Sequence, residues 1–215
     1  MTSRRRIVRL FVLMLVLGGL AGCWGALESS GLEANTSQAA EPQAGGGSRL
    51  PRQILIIRHA EKTGNRDDVH LSSEGQARAD RLPELFVASA ERKIPFARPD
   101  FLFAAGNKES SSRPVETISP LAAKLRLPIN SQYHDSAVKE LAHELRHNPV
   151  YAGKIVLVCW RHDMIPALAQ ALQARNAPQT WPGHVCDRVW LISYNAAGTA
   201  SIYDLPQRLL PGDSQ

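Results

Sequence analysis

Two short apolar runs constrain the fold of this chain more than any other feature of its sequence. Gln53–Arg58 contains four consecutive aliphatic residues, and Ile155–Trp160 contains no charged or hydroxyl-bearing residue at all. Runs of this length without polar alternation are typical of strands that are buried on both faces, as in a parallel sheet covered by helices. We therefore expect both runs to be central strands of one sheet.

The remainder of the folded region alternates helical and strand patterns. The patterns predict a helix or a helix pair over 73–91 with a kink at Pro83, and helices over 114–126, after Ser136 and after Pro166. They also predict short strands over 101–104 and 129–131 and a hairpin over 188–205. Ser73 with Gln76 has the spacing of a capping box, and Ser136 is the expected cap of its helix. This order predicts a three-layer α/β/α domain over residues 53–210, with a mostly parallel central sheet.

Basic and imidazole side chains follow both buried strands at the point where each strand ends. Arg58 and His59 end the first run, and Arg161 and His162 follow the second. The carboxyl ends of parallel strands meet at one edge of a sheet, which is where ligands bind in such folds. Arg113 begins the predicted helix after strand 101–104, and a helix N-terminus favours anions. Guanidinium groups match phosphoryl oxygens, so the sequence predicts a phosphate pocket at this edge.

The first 22 residues have the pattern of an export signal. A basic start is followed by an apolar stretch, 10–20, that is shorter than the roughly 20 residues needed to span a bilayer. The stretch ends in Leu-Ala-Gly-Cys23, which resembles the lipobox of bacterial lipoproteins. The resemblance implies that Cys23 is lipidated, and Trp24, which is not Asp, favours the outer membrane, facing the periplasm. An uncleaved signal anchor is the alternative.

Residues 23–52 have the composition of a flexible tether, rich in Ser, Gly, Ala and Gln and without apolar periodicity. The basic balance of the chain does not extend beyond the leader. Of the formal net charge of +5, four positive charges lie in the first 22 residues, which contain no acid: Arg4, Arg5, Arg6 and Arg9. The remaining chain is nearly neutral, so we expect no nucleic-acid partner.

Cys159 and Cys186 remain once Cys23 is assigned to the lipid. One thiol ends a predicted strand and the other precedes one, so the two residues could form a disulfide in an oxidising compartment or stay as buried thiols. Neither cysteine has a second ligand at the spacing of a zinc finger, so the cysteines do not indicate a metal site.

At this level of detail the sequence resembles the histidine phosphatase, or phosphoglycerate-mutase-like, superfamily. Arg58-His59-Ala60-Glu61, with Asn65 downstream, is similar to the family's Arg-His-Gly-Glu-Thr-x-x-Asn box, with Ala and Lys62 as departures. The segment from Ser112 to Thr117 is similar to its Ser-x-x-x-Arg-Ala-x-x-Thr pattern, and His162 matches its final histidine. The resemblance covers about 54–203 and implies the phosphoglycerate-mutase-like fold.

The resemblance also implies a mechanism without metal or cofactor. His59 would be the nucleophile that takes the phosphoryl group as a covalent phosphohistidine, which water then hydrolyses. The phosphoryl oxygens would be bound by Arg58, Asn65, Arg113 and a protonated His162, with Lys62 and Arg161 flanking the substrate. Three carboxyl groups are candidates for the general acid: Asp163 first, Asp135 second and Glu140 third.

Three functions follow from these residues. The first is a phosphomonoesterase, similar to the histidine acid phosphatases, that acts on a small phosphorylated substrate or a phosphoprotein. The second is a phosphate-binding scaffold lipoprotein without turnover. Two features are consistent with it: no single residue is identified as the general acid, and Ala60 replaces the glycine of the family's motif. The third, a phosphomutase, fits poorly with a protein anchored to the membrane outside the cytosol.

Overall fold

The computed structural model describes residues 49–65, 67–90, 92–106 and 111–214. The predicted leader, Cys23 and most of the predicted tether lie outside this part of the chain. Pro51 is buried, and the Arg52 N–H donates to the Lys154 carbonyl at 2.8 Å. Among the described residues, no helix has the length and apolar character needed to cross a membrane.

A six-stranded sheet forms the centre of the domain. Its strands, in chain order, are β1 (Gln53–Arg58), β2 (Phe101–Ala104), β3 (Ile129–Asn130), β4 (Ile155–Trp160), β5 (Arg188–Tyr194) and β6 (Ala200–Pro206). The spatial order is β3-β2-β4-β1-β5-β6. β1 to β4 are parallel, β5 pairs antiparallel with β1, and β6 pairs antiparallel with β5. The two apolar runs are therefore adjacent central strands, as predicted.

Helices cover both faces of the sheet and give the predicted three layers. They are α1 (Ser73–Arg81), α2 (Arg113–Leu125), α3 (Val138–His147) and α4 (Ile165–Ala171). On one face, alternate residues of β1 and β4 pack in a core cluster with α3 and α4. On the other face, the intervening residues pack with α2 and with Leu82 and Leu85, which follow α1. Side chains alternate between the faces of a strand, so an uninterrupted apolar run supplies both clusters.

The helix or helix pair predicted over 73–91 is broken near Pro83, as expected, but the prediction is wrong in its length and in its cap. α1 ends at Arg81 and continues only as a 3-10 turn, Leu82–Phe86, because Pro83 has no N–H for an α-helical hydrogen bond. The cap is Ser72, whose hydroxyl accepts from the Gly75 N–H at 3.1 Å.

Ser136 does not cap α3 either. The helix begins at Val138 after Ala137, without a side-chain cap, while the Ser136 hydroxyl lies 3.0 Å from His134 Nδ1. The predicted apolar face of this helix is present, however, and contains Val138, Leu141, Ala142 and Leu145, all buried.

All six strands and both core clusters lie within a compact unit over residues 43–215. A unit that contains its whole hydrophobic core has what it needs to fold by itself. This range is therefore suitable for measurements in solution.

Candidate active site

A pocket of about 220 Å³ opens where β1 and β4 end and α2 begins. Arg58 and Trp160 are register partners at the last position of the two parallel strands, and the His59 N–H donates to the Trp160 carbonyl at 3.0 Å. The next residues of both strands therefore emerge side by side. The pocket is lined by Arg58, His59, Lys62, Ser111, Arg113, Arg161 and His162. Six of these seven residues were predicted for the site from the sequence, and the seventh, Ser111, was not.

His59 is buried at the base of this pocket as a neutral imidazole. Burial, opposed by a hydrogen bond to the Ala60 carbonyl and reinforced by the charges of Arg58 and Arg113, lowers the pKa of His59 to about 3. The carbonyl oxygen lies 2.7 Å from Nδ1 and can only accept, so Nδ1 carries the proton. Nε2 of a neutral ring then keeps its lone pair, which is the state required of a nitrogen nucleophile.

Thr117 fixes the backbone beside His59 and was assigned no role from the sequence. The Ala60 N–H donates to the Thr117 hydroxyl at 2.9 Å, and this hydroxyl donates to the Arg113 carbonyl at 2.7 Å. Thr117 is buried in the first turns of α2. One hydroxyl thus connects the loop after β1 to the start of α2, and so connects the two elements that carry His59 and Arg113.

A close backbone approach holds the same loop from its other side. A Cβ atom at Gly75 would lie only 2.2 Å from the Glu61 carbonyl oxygen, so only glycine fits at this position in α1. The Ser72 N–H donates to the same carbonyl at 3.0 Å. The loop that begins with His59 is therefore packed between α1 and α2.

Arg58 and Arg113 form no ion pair with a carboxylate within the described part of the chain. Burial lowers the pKa of Arg113, and the nearby charges of Asp68 and Glu116 oppose this without pairing with it. Nη1 of Arg58 donates to the Val185 carbonyl at 3.1 Å, and Nη1 of Arg113 donates to the Asp68 carbonyl at 2.9 Å. The Nε of each is buried and has no hydrogen-bond partner among the described residues. Two guanidiniums with unused donors, the second at a helix N-terminus, form a site for an anion.

His162 lies at the rim of the pocket and is half-buried. The prediction that it is protonated is not supported, because burial and the charge of Arg58 lower its pKa below the ordinary value. The loop after α4 closes over the ring, since a Cβ atom at Gly183 would come within 3.2 Å of Nε2. His162 is neutral at pH 7 in the free protein.

Asn65, predicted as a phosphate ligand, does not line the pocket. Its side chain is exposed, and its Oδ1 accepts from the Asp67 N–H at 3.0 Å, which closes an Asx turn. Lys62, by contrast, lines the pocket from an exposed position, where it forms an isolated bridge to Leu71. Lys62 is therefore the residue of this loop that reaches the site.

The two leading candidates for the general acid are both ligands of Arg161. Asp163 accepts from Arg161 at 3.2 and 2.6 Å, and Asp135 accepts a short hydrogen bond from the same guanidinium. Burial acts to raise the pKa of Asp163, but the bonds and charge of Arg161 outweigh it, and the net pKa is lowered. Neither carboxyl group lines the pocket, and Glu140 is exposed on α3. The structure therefore does not bring a carboxylic acid to the pocket from the residues predicted for this role.

Cys159 and Cys186 are both free and buried. Burial raises the pKa of Cys186 to about 11 and that of Cys159 further still. The structure thus shows the second of the two predicted alternatives, a pair of protonated thiols. Within the described ranges, no three His, Cys, Asp or Glu side chains group together as metal ligands.

Comparison with known proteins finds similarity in structure but not in sequence. No protein-family model matches the chain, and no curated protein sequence is similar enough to count as a relative. Among solved structures, the chain is similar to the protein histidine phosphatase SixA complexed with tungstate, with a TM-score of 0.52 and 13% identity over 72% of this chain and 97% of that one.

Two further solved structures show weaker similarity. One is a phosphoglycerate mutase from Bacillus anthracis, with a TM-score of 0.48 and 11% identity over 74% of this chain and 94% of the other. The other is a mycobacterial glucosyl-3-phosphoglycerate phosphatase with inorganic phosphate, with a TM-score of 0.45 and 14% identity over 72% and 95%. At these identities the similarity to SixA shows the fold alone, and it confirms the expected histidine phosphatase type of α/β sheet.

Proposed function

We propose that this chain, which has the fold of the histidine phosphatases, belongs to that superfamily and is a phosphohydrolase acting through a phosphohistidine intermediate. Its substrate is a phosphoric monoester or a phosphorylated side chain. One observation carries the proposal: the neutral imidazole of His59 lies in one pocket with two guanidiniums that have no carboxylate partner among the described residues. In support, the SixA structure of the same fold is a complex with tungstate, an oxyanion.

In the first step of the proposed reaction, Nε2 of His59 attacks phosphorus and the bond to the leaving group breaks. The ring becomes positively charged, and its Nδ1–H bond to the Ala60 carbonyl stabilises that charge. Arg58 and Arg113 neutralise the equatorial oxygens, which is the main electrostatic contribution to phosphoryl transfer. A phosphate dianion beside His162 favours its protonated form, so this ring donates to the substrate only when the pocket is filled.

In the second step, water attacks the phosphorus of phosphorylated His59. The P–N bond breaks, phosphate leaves with the added hydroxyl, and the ring returns to its neutral state after the water proton is released to solvent. His59 has the same hydrogen bond to the Ala60 carbonyl before and after the cycle. Water is the acceptor of the phosphoryl group, and no atom changes oxidation state. Water, rather than another acceptor, distinguishes this hydrolase from a phosphomutase.

The absence of a carboxyl group from the pocket lining, within the described residues, favours substrates whose leaving group departs without a strong general acid. General acid catalysis contributes roughly 100- to 10,000-fold where it is used. A phosphorylated histidine nitrogen or an aryl phosphate loses less without it than an alkyl phosphate does. A phosphohistidine-bearing protein is therefore the favoured substrate within the proposed class.

The test uses residues 43–215 with p-nitrophenyl phosphate, a phosphohistidine peptide and an alkyl phosphate, without added metal. We expect turnover of the first two substrates, and His59→Ala abolishes it. Mass spectrometry of rapidly quenched enzyme detects one phosphoryl group in the wild type and none in the variant. His70→Ala is the matched control, because His70 is an exposed histidine outside the pocket, bound to Glu116.

Three other results would contradict the proposal. Turnover that survives in His59→Ala would exclude the phosphohistidine mechanism. Binding of inorganic phosphate without turnover of any substrate would support a scaffold protein, and transfer of the phosphoryl group back to a second hydroxyl of the substrate would support a mutase.

The proposed cellular place of the enzyme depends on Cys23. We infer that this cysteine carries lipid and holds the domain at the outer membrane, on the periplasmic side, through the predicted tether. Growth with an alkyne-labelled fatty acid tests this, since the wild type is expected to incorporate the label and Cys23→Ser is expected to lose it. Retention of the label in Cys23→Ser would refute the assignment.

A further inference from the structure

Ser111 lines the pocket with a hydroxyl that the sequence does not mark and the mechanism above does not use. The residue is buried, with 7% of its surface exposed, and its Oγ has no hydrogen-bond partner among the described residues. Burying a hydroxyl without a hydrogen-bond partner costs about 1–3 kcal/mol of folding free energy. Unsatisfied buried hydroxyls are therefore rare in native proteins. This hydroxyl therefore needs a specific explanation.

The position of the other unpartnered atoms supplies that explanation. Five buried side-chain polar atoms lack a partner in the described part of the chain, and three of the five belong to residues of this one pocket: Arg58 Nε, Ser111 Oγ and Arg113 Nε. All three can donate a hydrogen bond. Donors that gather without an acceptor are complementary to an anion with several oxygens.

The backbone holds Ser111 in a fixed relation to Arg113. The Ser112 N–H donates to the Val69 carbonyl at 3.0 Å, and α2 begins at the next residue. The Ser112 side chain, in contrast, makes no capping bond. Ser111 thus precedes the N-cap residue of the helix that carries one of the two guanidiniums, and its hydroxyl adds a donor without adding charge.

We propose that Ser111 is a phosphoryl-binding residue, whose hydroxyl donates a hydrogen bond to an oxygen of the transferred group between Arg58 and Arg113. This assignment rests on the proposed phosphohydrolase function. Because the bond forms with the oxyanion in both the bound substrate and the transition state, its loss weakens phosphate binding and kcat/KM together. Hydrogen bonds to charged groups correspond to about 10- to 100-fold in affinity.

The experiment compares Ser111→Ala, Ser111→Cys and Ser112→Ala in residues 43–215. Calorimetry with tungstate and with inorganic phosphate gives the affinities, p-nitrophenyl phosphate gives kcat/KM, and thermal denaturation without ligand gives stability. We expect Ser111→Ala to bind both oxyanions about 10- to 100-fold more weakly and to unfold at the same or a higher temperature, since it removes an unsatisfied polar group. Ser111→Cys keeps the size but is a poor donor, so it follows Ser111→Ala. Ser112→Ala is expected to match the wild type.

Each opposite outcome is informative. If Ser111→Ala binds oxyanions as tightly as the wild type, or lowers the unfolding temperature while leaving affinity unchanged, Ser111 is structural and the assignment is wrong. If the wild type binds neither oxyanion, the proposed function fails, and this assignment fails with it. The two failures are distinct because the first occurs in a wild type that binds phosphate and turns over substrate.

Discussion

Arg58 and Arg78 are both buried arginines, with 3% and 4% of their surface exposed, but they differ in what neutralises them. Arg78 contacts two carboxylates, Glu61 at 2.7 Å and Asp213 at 2.8 Å. Arg58 donates to a single backbone carbonyl and retains an unpartnered Nε. A buried charge is unfavourable unless it is paired, so the two sites represent a completed ion-pair cluster and an incomplete one.

The difference shows how burial can serve either stability or binding. Burial acts to lower the pKa of Arg78, but hydrogen bonds and charges from Asp213 and Glu61 outweigh it and raise the pKa. The unpaired charge of Arg58 instead acts on its neighbours, where it contributes to lowering the pKa values of both His59 and His162. The counter-charge that Arg58 lacks among the residues the structure describes is, in our proposal, the phosphoryl group.

The largest effect is expected from removing the paired arginine. Arg78→Met leaves Glu61 and Asp213 as largely buried carboxylates without their cation, and breaking such a cluster lowers the free energy of unfolding by about 3–5 kcal/mol. Urea denaturation at neutral pH measures this change. The control is Arg81→Met, since Arg81 pairs with Glu84 on the surface, where ion pairs contribute about 1 kcal/mol or less. Equal urea midpoints for the two variants would contradict the comparison.

The unpaired arginine is expected to behave in the opposite way. Arg58→Met removes a cation that has no internal counter-charge among the described residues, so the urea midpoint stays the same or rises. The variant loses electrostatic stabilisation of the transition state, and kcat/KM for p-nitrophenyl phosphate falls by about 100- to 1,000-fold. A variant that keeps its activity, or that is destabilised as much as Arg78→Met, would show that Arg58 is structural.

The sequence predicted the central strands because their burial pattern is local. A strand with four or more consecutive apolar residues places apolar side chains on both of its faces, so both faces must be buried. The residues that show this pattern in the sequence are the ones that are buried in β1 and β4. Helix ends were predicted less well because they depend on competing hydrogen bonds. Ser72 and Ser73 are both good caps, and only the backbone geometry selects Ser72.

The site was predictable where it follows directly from strand ends and not where it depends on distant partners. Arg58, His59 and His162 follow apolar strands, so their convergence needs only the topology. Thr117 binds Ala60 from 57 residues away, and Asp135 binds Arg161 from 26 residues away. Sequence spacing alone does not predict contacts between residues so far apart. The first contact gives Thr117 a role in positioning the loop after β1, and the second binds Asp135 to Arg161 outside the pocket lining.

The pH dependence of stability tests whether His59 is held neutral in the folded protein, by burial first and by the charge of Arg58 in addition. Its pKa is about 3 in the folded protein and about 6.5 when unfolded, so the unfolded state binds more protons between these values. Stability therefore falls as the pH decreases from 6.5, by on the order of 3 kcal/mol at pH 4. Urea midpoints across this range give the slope, and His59→Gln is expected to flatten it.

His70→Gln is the matched control for this measurement. Its hydrogen bond to Glu116 raises the pKa of His70, so this histidine contributes stability that is present below pH 6.5 and is lost as the pH rises through its folded value. Its removal steepens the loss on acidification, which is the opposite change. If the two variants shift the slope in the same direction, the neutral state assigned to His59 is incorrect.

The smallest effect is expected at Asp163, and it decides whether an exposed carboxylate near the pocket acts as an acid. Asp163 is 44% exposed and pairs with Arg161, so Asp163→Asn removes a surface ion pair and lowers kcat/KM by less than about 3-fold. A general acid at this position would instead give a loss of about 100-fold or more, largest for the alkyl phosphate.

Asp135→Asn removes the buried ligand of the same guanidinium. It is expected to lower kcat/KM by about tenfold, equally for aryl and alkyl substrates. The two aspartates thus differ as the two arginines do, one acting by a buried contact and the other not. Buried Asp135 fixes Arg161 in the pocket, whereas water can replace exposed Asp163.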